Sequence, residues 1–310
     1  MEWSCGHHTM KKKLKIVVLG AGGRLGAALT REYAAAGEAT GFTHAELDLG
    51  QLETLRSTLA PLPFDVLINA AALTNVDYCE DHRDEAIRLN AEAPQVLAEI
   101  CREKGARFIH VSTDYVFDGE KRAPYTEEDP AEAISVYGES KRAGELEVLE
   151  TNDRALVVRV SWVFGPDRPS FVDAILQKAR EEEEVNAVAD KFSTPTYTPD
   201  IAALLRPLLD TPERSGILHL ANRGECSWQE YAQWALDCCH AAGLPMKART
   251  VGAVSLGEMK NFVARRPVYT VLGTEKYERW MGSTPRPWRD AVADYVRAQC
   301  RSGAGWARPV

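Results

Sequence analysis

From Lys15 onward, short runs of aliphatic and β-branched residues alternate with longer stretches whose apolar residues recur every three or four positions. Runs of the first kind suit strands buried on both faces, and stretches of the second kind give a helix one apolar side. The pattern predicts strands at Leu14–Leu19, Ala39–Thr43, Phe64–Asn69, Arg107–Ser112, Leu156–Ser161 and Val185–Ala189. Helices are expected over Leu25–Ala36, Glu53–Leu59, Asp84–Lys104, Ser135–Glu150 and Ser170–Glu183. Parallel strands need a crossover between them, so strand–helix alternation implies a doubly wound parallel sheet with helices on both faces.

After about residue 165 the text changes. Pro195, Pro199, Pro207 and Pro212 break it into short pieces, and helical spacing returns at Trp228–Ala242, Thr274–Trp280 and Trp288–Gln299. The fold class expected is therefore α/β, with a main sheet domain over residues 14–165 and a smaller C-terminal α/β substrate lobe over 166–301. Some of that chain is expected to return to the sheet. Residues 1–13 and 302–310 read as unanchored tails.

Composition narrows the possible partners. The chain has 310 residues, 45% of them hydrophobic and 26% charged, which is ordinary for a globular protein. A net charge of −8 argues against nucleic acid as a partner, because such binding rests on clustered Lys and Arg. No apolar run is long enough to span a membrane, and the basic residues of Met1–Lys13 follow His7 and His8 instead of leading an apolar region, so no signal peptide is read. The seven cysteines are odd in number and lack a C-x-x-C pair, which predicts reduced thiols in a cytoplasmic protein. Cys238 and Cys239 read as core-filling thiols, and the charged run from Arg180 to Glu184 as the solvated end of a helix.

The first candidate chemistry lies between the first strand and first helix, at Gly20-Ala-Gly22-Gly23-Arg24-Leu25-Gly26. Gly20 permits a tight turn, Gly23 lets backbone amides approach a pyrophosphate, and Gly26 allows close helix–sheet packing. Phosphate would sit at the helix N-terminus, where free N–H groups and the dipole favour an anion. This is a Rossmann-type dinucleotide loop whose G-x-x-G-x-x-G spacing resembles the extended short-chain dehydrogenase/reductases. An acid at the end of the second strand would select NAD, yet Gly41-Phe42-Thr43-His44 offers none. Arg24 and Leu25 are expected beside the cofactor, Arg24 toward a 2′-phosphate, so NADPH is the expected cofactor with NADH tolerated. Asp48 and Leu49 are placed at the adenine, and Asn69, Ala70, Ala71 and Ala72 supply mostly small residues where the cofactor backbone passes.

The second element is Tyr137-Gly-Glu-Ser-Lys141, which sets a phenol and an ammonium on one helix face. A free tyrosine titrates near about 10, and a neighbouring cation would bring it toward working pH for proton exchange with a carbonyl. Lys141 would also hold the nicotinamide ribose. Thr113 ends a strand where ligands bind in such sheets, and its hydroxyl can bond a substrate carbonyl oxygen. Thr113, Tyr137 and Lys141 are the candidate catalytic set.

With those motifs, the stretches Asn69–Asp77, Ser112–Gly119, Val136–Lys141, Arg159–Gly165 and Ala264–Pro267 resemble the dTDP-4-dehydrorhamnose reductase family over roughly residues 14 to 300. The resemblance implies that Thr74, Val76, Tyr115 and Trp162 line the sugar and its nucleotide, with Asp114 on the substrate side and Thr113, Tyr137 and Lys141 catalytic. A tryptophan beside a strand can equally be core. Arg265 and Arg266 read either as a diphosphate clamp or as an exposed structural pair. Some members of the family are dimers with Mg²⁺ held by glutamates, one of them in the helix just after the glycine loop. Here that stretch is Gly26-Ala-Ala-Leu29, so no metal is expected, and the chain is read as a monomer or homodimer.

The fold also serves epimerases and 4,6-dehydratases. In the dehydratases Asp-Glu follows the catalytic Thr, whereas this chain has Asp114-Tyr115. The expected reaction is reduction of the 4-keto group of dTDP-4-dehydro-6-deoxy-L-mannose to dTDP-L-rhamnose. The alternatives are a nucleotide-sugar epimerase and a non-catalytic NADP-binding subunit that regulates a partner enzyme.

Overall fold

In a computed structural model that describes residues 13–35 and 39–302, six strands form one parallel sheet. They are β1 (Ile16–Leu19), β2 (Ala39–Phe42), β3 (Val66–Asn69), β4 (Arg107–Thr113), β5 (Leu156–Val160) and β6 (Gly216–His219), in the order β6-β5-β4-β3-β1-β2. The chain reverses direction across the sheet between β1 and β3, and ligands bind at the carboxyl ends beside such a switch.

Period-two alternation divides the core. Val17 and Leu19 on β1, Leu67 on β3 and Phe108 on β4 face α2 (Leu52–Leu59), α3 (Ala93–Lys104) and α4 (Val136–Thr151). Ile16, Val18, Val66, Ile68 and Ile109 face the other way, toward Leu25, Leu29 and Tyr33 of α1 (Arg24–Ala34) and Ile201, Ala202 and Leu205 of the helix Thr198–Leu205. A third core of Phe164, Tyr197, Tyr231, Trp288 and Tyr295 joins the helices Phe171–Glu181, Trp228–Ala241 and Trp288–Ser302 in the C-terminal part. Among the described residues no helix is long and apolar enough to cross a membrane.

Three elements differ from the sequence expectation. The run at Val185 forms a strand, Val185–Val188, but it pairs in parallel with Val251–Val254 outside the main sheet. The sixth sheet position is taken by Gly216–His219, a four-residue strand with too little pattern to be read. The expected helix Asp84–Lys104 is interrupted by a π-turn at Arg88–Glu92. Proline explains the interruption: Pro94 has no N–H for the Asn90 carbonyl, and its ring crowds that oxygen, so the turn widens. The tails, Cys5 and Ala36 lie outside the described residues or at their edge. Cys79, Cys101, Cys226, Cys238, Cys239 and Cys300 are free thiols, the first three and Cys239 buried.

Candidate active site

At the carboxyl ends of the strands the backbone turns sharply and leaves a cavity of about 960 Å³. Its floor is the loop after β1. Gly20 has φ of 80°, and a Cβ there would lie 2.7 Å from the Ala71 nitrogen. A Cβ on Gly26 would lie 2.0 Å from the Gly20 carbonyl oxygen, so glycine there lets α1 pack against the turn. Gly23 is the N-cap of α1 and offers no side-chain cap, and the first turn holds no acid. The helix thus presents unmatched positive character to the cavity, which fits the phosphates of a dinucleotide.

Gly20, Gly22, Gly23, Arg24, Leu25, Leu49, Ala70, Ala71 and Ala72, expected at a cofactor, line this cavity, and so do Thr74, Val76, Thr113, Asp114, Tyr115, Tyr137, Lys141 and Trp162. The structure brings these predicted residues to one place. Gly26, Asp48, Asn69 and Arg266 do not line it. Gly26 sits beneath the turn, and Asp48 accepts from Gly50 N at 2.9 Å, fixing its own loop. Asn69 is fully buried behind the wall, where its Oδ1 accepts from Ala71 N at 3.1 Å.

Two arginines behave differently from their sequence reading. Arg24 lines the cavity, but its Nε donates to the Arg168 carbonyl at 3.3 Å and its Nη2 to the Pro169 carbonyl. Those carbonyls hold the guanidinium that was expected at a 2′-phosphate. In return Arg168 donates from Nε to Gly22 O at 2.9 Å and brings a second guanidinium to the cavity wall. Nothing near Arg168 in the sequence signals this role, because the contact joins residues 146 apart. Arg266 lines a smaller adjoining pocket, with Arg122 and Arg265. Its guanidinium is bidentate on Asp77, both N–H···O distances being 2.6 Å, and stacks on Phe262 at 4.2 Å. The Asp77 carboxylate and the Ala264 carbonyl, which accepts from Nη1 at 2.7 Å, thus engage both terminal nitrogens.

The polar end of the cavity is built by β4 and α4. Ser135 caps α4 by accepting from Gly138 N at 3.2 Å, and the first turns then present Tyr137 and Lys141 on one face. A Cβ on Gly138 would stand 2.2 Å from the Tyr115 carbonyl, so glycine lets α4 approach the strand end. Burial raises the Tyr137 phenol above the ordinary tyrosine range, while a hydrogen bond with Thr113 pulls the other way. The phenol is thus kept in its acid form. Lys141 is also buried and pushed down to about 8, chiefly by desolvation, with Glu145 opposing. Its Nζ donates to Val111 O at 2.8 Å.

Asp114 is buried and accepts from Ser161 Oγ (2.9 Å), Ser193 Oγ (3.0 Å) and Thr270 Oγ1 (2.6 Å). These bonds make it a structural anchor for the wall on the Oδ2 side, and Thr113 Oγ1 approaches Oδ1 at 3.2 Å. Trp162 holds φ of 42°, the only described non-glycine residue at positive φ. Its ring packs against Phe171, Trp228 and Tyr231, so it is at once cavity wall and edge of the C-terminal core.

A parallel sheet with a glycine cradle at its switch point, and Thr, Tyr and Lys at the adjoining strand end, defines an extended short-chain dehydrogenase/reductase. Comparison with known proteins gives the family. Residues 14–300 match the family described as RmlD substrate binding domain, and the chain belongs to that family. It is 34% identical to the spore coat polysaccharide biosynthesis protein SpsK of Bacillus subtilis over 91% of this chain and 97% of that one. It is 36% identical to dTDP-4-dehydrorhamnose reductase of Burkholderia thailandensis, covering 92% and 98%. The crystal structure of dTDP-4-dehydrorhamnose reductase from Bacillus anthracis in complex with NADP superposes with a TM-score of 0.85, at 30% identity over 93% of this chain and all of that one.

Proposed function

We propose that the protein reduces the 4-keto group of dTDP-4-dehydro-6-deoxy-L-mannose to dTDP-L-rhamnose with NADPH. The observation that carries this reading is the convergence of Thr113, Tyr137 and Lys141 on the cavity that the glycine cradle opens. Relatives named as dTDP-4-dehydrorhamnose reductases, one of them crystallised with NADP, support it. The cradle of Gly20, Gly22 and Gly23 and the N-terminus of α1 would hold the dinucleotide phosphates, with Arg168 beside them. When bound, the cofactor supplies hydride to the carbonyl carbon.

The chain's own residues supply the remainder. Thr113 donates to the carbonyl oxygen and orients it, and Tyr137, held as a neutral phenol, delivers the proton as charge develops there. A raised phenol suits reduction, since the acid form must be present before hydride arrives. Lys141, largely an ammonium at neutral pH with its value near 8, offers donors to the nicotinamide ribose. Thr74, Val76, Tyr115 and Trp162 form the sugar side of the cavity.

The chain is read as a dinucleotide-binding domain over 14–165 and a substrate lobe over 166–301. We read the enzyme as cytoplasmic, with a small nucleotide sugar and no nucleic acid as partner, acting as a monomer or metal-free homodimer. The net charge of −8 and the reduced-thiol pattern support this.

The test mixes purified protein with dTDP-4-dehydrorhamnose, generated in place from dTDP-glucose, and follows oxidation of NADPH and of NADH. Oxidation yielding dTDP-rhamnose, lost by roughly 10²- to 10⁴-fold in Tyr137→Phe with cofactor binding retained, is expected. Binding of NADPH without turnover of the keto-sugar would instead point to a cofactor-binding regulatory subunit.

A further inference from the structure

Behind Lys141 stands a histidine closed off from solvent. His110 lies on β4, fully buried, and does not line the cavity. Its Nδ1 is 3.2 Å from Asn69 Nδ2, and its Nε2 is 3.4 Å from Lys141 Nζ. The orientation of the Asn69 amide is fixed by the backbone, because its Oδ1 accepts from Ala71 N at 3.1 Å. The NH₂ end therefore faces the ring. A donor in that position requires a lone pair on Nδ1, and a neutral imidazole with bare Nδ1 carries its proton on Nε2. Burial first, and Lys141 second, hold His110 well below the ordinary histidine range, so the ring is neutral.

The Nε2–H then points at Nζ. An ammonium has no lone pair to receive it, whereas a free amine has one, so this contact favours the amine. The other groups around Nζ are accounted for. On α4, Glu145 favours the ammonium from one turn ahead, with its carboxylate bound to Arg159, Arg142 and Ser112, and Tyr137 lies one turn back as a phenol. On the π-turn against α4, the buried polar group is the uncharged Asn90, bonded to Ser140 at 3.0 Å, while Arg88 and Glu92 are exposed. Glu80 meets the helix start at Val136 N, and Arg83 pairs with Glu139 at the exposed end.

We propose that His110 is a positioning residue for Lys141: locked by Asn69 as an Nε2–H donor, it shifts the balance at Nζ toward the free amine and steadies Nζ on the Val111 carbonyl. Its bearing on catalysis rests on the reading of Lys141 given above. The titration itself does not.

The experiment is ¹³C NMR of protein labelled with [ε-¹³C]lysine, without cofactor, with the Lys141 signal assigned by its loss in Lys141→Met. The wild-type midpoint is expected near 8. In His110→Gln the side-chain carbonyl can accept from the ammonium, and the midpoint rises by about one unit, a tenfold change in the ammonium-to-amine ratio. The alkaline limb of kcat/KM then moves up by the same amount. If His110→Gln does not fold, Asn69→Asp makes the test: its carboxylate accepts from Nδ1–H, bare Nε2 faces the ammonium, and the midpoint rises again. An unmoved midpoint in the folded variant overturns the proposal. A shifted midpoint in a protein that never oxidises NADPH upholds the proposal and overturns the reductase reading.

Discussion

Thr113 serves two purposes with one hydroxyl. Its Oγ1 accepts from Tyr115 N at 3.2 Å, capping the short turn Asp114–Val116, and the same group interacts with Tyr137. Thr113→Val keeps the shape and removes both interactions together with the contact to Asp114 Oδ1. The lost cap should destabilise the protein by about 1 kcal/mol, and the lost donor should lower kcat roughly 10²-fold. Chemical denaturation and steady-state kinetics measure the two effects separately, and Thr113→Ser should restore most of each. A valine variant with full turnover would remove Thr113 from the mechanism. The residue-scale chemistry was readable from the sequence wherever it depends on local spacing. Gly20 and Gly26 are demanded by a turn seven residues long, and Tyr137 and Lys141 by one helix face. The contacts of Arg24 with the Arg168 and Pro169 carbonyls were not legible, because no local pattern connects those residues to the glycine loop.

At the scale of elements, α4 is pressed into the π-turn that Pro94 produces. A Cβ on Gly144 would lie 2.0 Å from the Asn90 carbonyl oxygen, the oxygen that proline leaves without its helical donor. The Asn90 side chain stitches the same region together, accepting from Leu73 N at 2.9 Å and donating to Leu73 O and Ser140 Oγ at 3.0 Å each. Gly144→Ala should therefore push α4 away from the sheet and destabilise the fold by about 1–3 kcal/mol. Because α4 carries Tyr137 and Lys141, the variant should also lose turnover at temperatures where it remains folded. Thermal melts beside activity at low temperature decide this, and an alanine variant with wild-type stability would show that the helix has room to move. The helix itself was plain in the sequence. The π-turn was not, since its cause is one proline within an otherwise regular amphipathic stretch.

Across the whole molecule, Asp77 ties the segment that carries Thr74 and Val76 to a loop far along the chain. It accepts from Val263 N and Ala264 N at 2.8 Å each and from both terminal nitrogens of Arg266, a contact spanning 189 residues. That distance is why the sequence left Arg266 open between a diphosphate clamp and an exposed structural pair and gave Asp77 no role. The Arg266 guanidinium, helped by the two backbone N–H groups and opposed by partial burial, holds the Asp77 carboxyl down to about 2. A depressed carboxyl stabilises the folded state above its unfolded value, near 3.9, and loses that contribution as pH falls through its folded value. The side chain is 31% exposed, so solvent screening reduces the gain to about 1–2 kcal/mol. Asp77→Asn should accordingly be less stable than wild type by that amount at neutral pH. The gap should hold down to about pH 4 and close toward pH 2, where the wild-type carboxyl also becomes neutral. Urea denaturation of both proteins across this range measures it. A gap that stays constant through the acid range would mean that the bond geometry at Asp77, and not its charge, fastens the loop over the cavity wall.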